Sequence, residues 1–162
     1  MTADIRSRPL WKRRRIVTLA AEKLRGLESN HSVRYLPIKY FPLYRVGNDG
    51  TVWAFRWDRK ETGRWKRLFG TKVKGNYLRV QLHNDSGPQM FLIHRLVLEA
   101  FVGPCPLGKE SCHEDDEPSN NQKGNLRWDV RKENMKDRKR NRMRKGLSPW
   151  YDNPRAVSRS GD

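Results

Sequence analysis

His113, Asn125 twelve residues on and Asn134 nine residues further carry the most chemically informative spacing in the chain. His113 closes ESCH, which reads as a short strand, and Asn125 opens NLRW, which reads as a second one. Asn134 falls in VRKENMKDRKRNRMRK, a helix over roughly residues 130–145. A strand–loop–strand–helix unit of about thirty residues is too small to bury a core of its own, and such units are usually held by a bound metal and its ligands. Two neighbours sharpen the question. Cys112 stands directly before the histidine, and four carboxylates, Glu114, Asp115, Asp116 and Glu117, follow it.

The rest of the chain must position these residues. It has 162 residues, with 35 Lys plus Arg against 18 Asp plus Glu, for a net charge of +17 and a pI near 10.5. Such a charge points to a polyanionic partner, nucleic acid first. An anionic membrane would call for a basic amphipathic helix with a rich apolar face, and no such helix stands out. No run approaches the roughly 18 apolar residues that span a bilayer. Two cysteines, Cys105 and Cys112, are too few for a disulfide framework, and a cytoplasmic protein with reduced thiols is expected.

Apolar residues concentrate between about 34 and 102. YFPLYRVGNDGTVWAFRW places β-branched and aromatic residues on both sides of NDG, a hairpin signal. Tyr77, Arg79 and Gln81 alternate with Leu78, Val80 and Leu82, a period of two. Residues 40–93 therefore read as one small antiparallel sheet. HRLVLEAFV, residues 94–102, reads as a short helix with Leu96, Val97, Ala100 and Phe101 in one stripe, ended by GPCPLG. Between Arg127 and Lys145 there are ten Lys or Arg and three acids, so the last helix is polar nearly all round. Burial cannot hold it along its whole length: its first turns must pack and its end must project or bind. The expected organisation is a basic arm at 1–33, a sheet region that contacts DNA at 34–93, the helix-bearing unit at 94–146 and a flexible tail at 147–162.

FLIHRLVLEAFVG followed by CHEDDEPSNNQKGNLRWDVRKEN resembles the HNH endonucleases of phage introns, the homing-endonuclease branch. The resemblance rests on HRLV with EAF, then Asn120–Asn121, NLRW at 125–128 and EN at 133–134, at fixed offsets from His113. The leader YFPLYRVGNDGTVWAF is similar to the sheet-forming motif that often precedes the nuclease. The fold this implies is α+β: a small antiparallel β-sheet region followed by a ββα-metal nuclease unit, with basic tails. The activity it implies is metal-dependent hydrolysis of a DNA phosphodiester, nicking one strand because one site is encoded per chain.

Carried over by position, His113 is the general base, and a neutral imidazole can take a proton from water near pH 7. Asn134 is the metal-ligating helix residue, a hard oxygen donor for Mg²⁺ or Mn²⁺. Asn125 bonds across the loop to fix the strand that bears the histidine. The departure is Cys112, where the family usually has Asp, Asn or His as the other ligand. Soft sulfur suits Zn²⁺ or other thiophilic metals, not Mg²⁺. Three readings stay open: weak binding through Asn134, phosphate oxygens and water; a substitute carboxylate at Asp115 or Asp116; or a degenerate site in a protein that only binds DNA. The acidic loop is expected to draw a cation into a surface otherwise built for phosphate.

A zinc site from His94, Cys105, Cys112 and His113 matches no standard finger spacing and has no Cys-x-x-Cys pair, so Zn²⁺ is the less favoured ion. His94 opens a helix and is expected to pack beneath the site. Trp53, Trp57, Trp65 and Trp128 are expected in core or sheet packing. Arg64, Lys66, Arg67, Lys72, Lys74 and Arg79 in the sheet, and Arg138, Lys139, Arg140 and Arg142 in the helix, are the expected phosphate contacts on double-stranded DNA. The resemblance implies a phage-infected or bacterial host cell, and a monomer without a membrane partner is expected.

Overall fold

The computed structural model describes residues 33–57 and 63–148. The KRRR-bearing arm, the stretch IVTLAAEKLRGLE and most of the tail lie outside them. β1 (Tyr35–Ile38), β2 (Phe41–Gly47), β3 (Val52–Trp57) and β4 (Gly63–Leu68) form an antiparallel meander in sequence order. The NDG signal makes the β2–β3 turn. Asp49 Oδ1 accepts from the Thr51 amide at 3.0 Å and the Thr51 hydroxyl at 2.7 Å, and Gly50 supplies the positive φ of +81°.

Where the sequence reads one sheet over 40–93, the structure has two. The second contains β5 (Thr71–Lys72), β6 (Leu78–Asn84) and β7 (Gly87–Leu92), in that order. The break falls at Phe69–Gly70, where the chain crosses tightly over the second sheet: a Cβ on Gly70 would stand 2.9 Å from Ile93 Cδ1 and 3.1 Å from Leu78 Cβ. Period-two alternation marks the faces of each strand but not which strand pairs with which. Within β6 the alternation holds, with Val80 and Leu82 buried and Arg79 and Gln81 exposed.

Helix α1 (Ile93–Phe101) starts one residue earlier than the sequence suggests. Its expected stripe packs inward, and Ile93 and Leu98 join it. One apolar cluster then gathers Val46, Val52 and Ala54 from the first sheet, Val80 and Leu82 from the second, Leu96 and Val97 from α1, and Leu126 and Trp128 from beyond it. The Tyr44 hydroxyl accepts from the His83 amide at 3.2 Å and ties the two sheets together. The core therefore crosses the expected boundary at residue 94.

The last unit is a hairpin and a helix. β8 (Glu110–His113) and β9 (Leu126–Asp129) pair antiparallel, with Cys112 opposite Arg127 and His113 opposite Leu126. Asn125 does not open the second strand; it ends a single 3-10 turn, Lys123–Asn125, which leaves its carboxamide free to reach back across the loop. Helix α2 (Arg131–Arg144) follows. It stops at Gly146 in the left-handed region (φ +68°), with Leu147 N donating to Arg142 O and Gly146 N to Met143 O. Among the described residues no helix is long and apolar enough to cross a membrane.

Candidate active site

His113 is buried at the end of β8, 7% exposed. Its Nε2 lies 3.4 Å from Asn121 Oδ1, and Asn121 Nδ2 donates to Ser119 O at 3.3 Å, which turns the amide oxygen toward the imidazole. In the tautomer with its proton on Nε2, the ring would donate to that oxygen and keep Nδ1 as the basic nitrogen. Burial pushes the His113 pKa down; the Asn121 contact and Asp115, Asp116 and Glu117 push it up, and the net position is below the ordinary value. Tyr77 and His94 complete an aromatic cluster, with the His94 and His113 ring centres 5.1 Å apart and Tyr77 5.3 Å from His94. Burial first, then the nearby His113 and Arg95, bring His94 to about 4, so it packs beneath the site as a neutral ring.

The loop between the strands is closed on itself. Asp115 accepts from Asn120 Nδ2 at 2.6 Å, Asn125 Nδ2 at 2.9 Å and the Glu117 amide at 2.9 Å, while its own amide donates to Asn125 Oδ1 at 3.1 Å. Asn125 Nδ2 also reaches Asn120 O at 2.9 Å. Burial raises the Asp115 carboxyl, but the bonds from Asn120, Glu117 and Asn125 outweigh it and hold it below the usual range. Asp116 pairs with Arg138 at 3.2 Å, Glu114 with Arg127 at 3.4 Å, and Glu117 accepts from the Ser119 hydroxyl at 2.7 Å. The four acids thus tie the loop to itself and to β9 and α2, where the sequence suggested a lure for a cation.

The same logic seats α2, whose buried residues are Asp137 and Asn141. Asn141 Nδ2 donates to Glu114 O at 2.5 Å, and Arg127 bridges Asp137 and Asp129. Asn134, on the first turns, donates from Nδ2 to Glu110 Oε1 at 2.6 Å. Glu110 and Asn134 line a cleft of about 340 Å³ together with Tyr77, His94, Ser111 and Arg131. The first sheet reaches the unit through its turn: Lys123 N donates to Asn48 O at 2.7 Å, and Gly50 lies against the backbone of Asn121.

Residues 91–136 match the sequence model of a family described as HNH endonuclease. The matched segment begins in β7, contains α1, β8 and β9, and ends in α2 just beyond Asn134. This segment is similar to the HNH endonucleases. A solved structure of the HNH homing endonuclease I-HmuI, reported for its DNA binding and cleavage, is similar with a TM-score of 0.58 and 27% identity. The likeness covers 77% of this chain and 66% of that one, so about a third of the neighbour has no counterpart in it. No curated protein matches the sequence.

HNH nucleases use a divalent metal, and the donor set can be tested against one. Asn134 offers an amide oxygen at the mouth of the cleft. Cys112 is 1% exposed, with its thiol 3.6 Å from Glu110 O, and it does not face the cleft's open space. The Asp115 carboxylate is committed to Asn120, Asn125 and Glu117. Cys105 is exposed and bonded within its own loop, and among the described residues no three His, Cys, Asp or Glu side chains converge on a metal position. A hard, oxygen-preferring ion fits what remains.

The expected phosphate contacts do not share one face. Arg64 and Lys66 are exposed on the face of β4 whose cross-strand partners are Arg56 and Ala54. Arg67 lies on the opposite face beside Trp53, 5.3 Å from the Phe69 ring. Lys72, Lys74 and Arg79 are exposed around the second sheet. On α2, Arg138 is paired to Asp116, Arg140 to Asp137, and Arg142 donates to Ser148 O, while Lys139 is exposed. Glu110, Tyr77 and Asn121 are site residues that the sequence reading assigned no role. For Glu110 the signal was present: it stands two residues before Cys112, on the same side of a strand.

Proposed function

We propose that this chain is a divalent-metal-dependent DNA endonuclease that hydrolyses a backbone phosphodiester and nicks one strand. The observation that carries the reading is the coincidence of the HNH match with a hairpin that holds His113 by Asn121. His113 would take a proton from the attacking water. Asn121 fixes the tautomer, and Asn125 pins the loop from which Asn121 projects. A bound Mg²⁺ or Mn²⁺, held in part by Asn134, would polarise the phosphate and stabilise the leaving 3′ oxygen. The exposed Lys and Arg side chains of the sheets, with Lys139, would follow the phosphate backbone of a DNA duplex, and one site per chain acting as a monomer would cut one strand.

Supercoiled plasmid incubated with Mg²⁺ or Mn²⁺ tests this. Nicking that His113→Ala reduces by at least about a hundredfold is expected from loss of a general base. No nicking with any divalent ion, or equal nicking by the variant, would refute it. The burial of Cys112 favours a second reading, a DNA-binding protein with an inactive HNH site; tight duplex binding without cleavage under the same conditions would establish it.

A further inference from the structure

We infer that Glu110 is the second protein ligand of the divalent cation, sharing it with Asn134 in the role that Cys112 does not fill. The inference rests on the nuclease reading for its ion and on the geometry for its residue. Glu110 opens β8 one pleat repeat before Cys112, so both side chains leave the same side of the strand. The Cys112 sulfur turns into the protein, whereas the Glu110 carboxylate lines the cleft with Asn134. Among the described residues Glu110 has no ion-pair partner, although Arg95, Arg131 and Arg138 line the same cleft. Among the described residues it is the only carboxylate that lines the cleft.

Its contact with Asn134 is what a ligand pair looks like before the ion arrives. The amide nitrogen donates to Oε1 at 2.6 Å, and Oδ1 of Asn134 makes no hydrogen bond among the described residues. A half-turn of the carboxamide exchanges nitrogen for oxygen and points two hard oxygens at the same space. Adjacent oxygens in an octahedral shell of radius about 2.1 Å stand roughly 3.0 Å apart, so the pair opens by only about 0.4 Å to admit Mg²⁺. Water and substrate phosphate would supply the remaining positions, as is usual for that ion, and the cleft has room for them. Arg131, exposed on its wall, would receive the phosphate. Asp115 offers no such opening, because both its oxygens are already taken.

The test is Mn²⁺ binding by the full chain without DNA, followed by calorimetry and by paramagnetic broadening of side-chain amide resonances. Glu110→Gln keeps the shape and an acceptor for Asn134, so it is expected to fold, confirmed by an unchanged melting temperature, and to bind Mn²⁺ at least about tenfold more weakly. Cys112→Ser is expected to stay within about twofold of wild type. In the wild-type chain, broadening is expected at the Asn134 amide before those of Asn120 and Asn125, a readout that needs no variant. Unchanged affinity in Glu110→Gln, or broadening centred on Asn120 and Asn125, would overturn the assignment. A chain that binds Mn²⁺ through Glu110 but leaves plasmid intact would uphold it and refute the nuclease reading. A Glu110→Gln variant that nicks at the wild-type rate would do the reverse.

Discussion

Gly50→Ala should damage the active site from a distance, through a single methyl group. Gly50 has φ +81°, and an ideal Cβ there would stand 2.8 Å from both the carbonyl carbon and oxygen of Asn121 and 2.9 Å from its Cβ. These are mostly backbone atoms, so no rotamer change relieves them, and the Lys123 N to Asn48 O bond of 2.7 Å ties the same two segments together. Gly87→Ala is the control. Its φ is +107° with nothing within 4 Å of the new methyl, so it carries only the conformational penalty of about 1–3 kcal/mol. Gly50→Ala carries a similar penalty plus an overpacking cost of about 1–3 kcal/mol. With a urea m-value of about 2 kcal/mol/M, its unfolding midpoint should lie roughly 0.5–1.5 M below that of Gly87→Ala. At concentrations where both are folded, Gly50→Ala alone should nick plasmid more slowly, because Asn121 carries the His113 imidazole. Equal midpoints and equal nicking in the two variants would show that the turn does not seat the loop.

Asn125→Ala removes the amide that bonds Asp115 twice and Asn120 once, and should cost about 1–3 kcal/mol in denaturant melts. The Asp115 carboxyl is held below its usual range, so its stabilisation is present above the ordinary aspartate pKa of about 3.9 and is lost as pH falls through the folded value; the gap between wild type and variant should be full at neutral pH and shrink in acid. Thiol titration of the native chain should label Cys105 quickly and Cys112 only on unfolding, since burial first, with Glu110 and Asp129 adding to it against Arg127, pushes the Cys112 thiol up to about 11; two equivalents labelled in the native state would contradict its place in the fold. Chelation by EDTA should abolish nicking yet lower the melting temperature by no more than a few degrees, the loss of ordinary ligand linkage and not of a folding metal; unfolding on chelation would show that the metal holds the unit.

The strands and helices were legible because their signals are local. NDG between apolar runs, the alternation over 77–82 and ESCH each became the element that their pattern implies, NLRW did so from Leu126 on, and the spacing of His113, Asn125 and Asn134 marked the unit that the family match covers. What stayed hidden depends on partners far along the chain. The split between the sheets turns on Gly70 meeting Ile93 and Leu78. The acidic loop read as a cation lure because the sequence cannot show that Arg127, Arg138 and Asn125 have already claimed its carboxylates. Asn121 gained its place from Gly50, some seventy positions earlier. Glu110 carries no signal in the residues next to His113, because a strand's two-residue repeat sets its side chain on the same side as Cys112 but two positions away.

How so polar a unit stays folded bears on what a bound metal would be for. The sequence suggested that a unit this small needs a bound ion to hold it. Instead β9 lends Leu126 and Trp128 to the core built by the two sheets and α1, and the Trp128 indole donates to Gly103 O at 3.0 Å just past the end of α1. Buried hydrogen bonds from Asn141 and the Arg127 bridge then fasten α2, which has almost no apolar face to bury. Because packing and internal ion pairs do the structural work, a cation proposed at Glu110 and Asn134 would not be needed to hold the fold and could leave positions open for phosphate and water. A structural metal site closes its coordination shell, and a catalytic one cannot. The acidic loop belongs to the same division of labour: its charges are consumed in holding His113 in place, which leaves Glu110, outside that loop, as the carboxylate free to meet a cation.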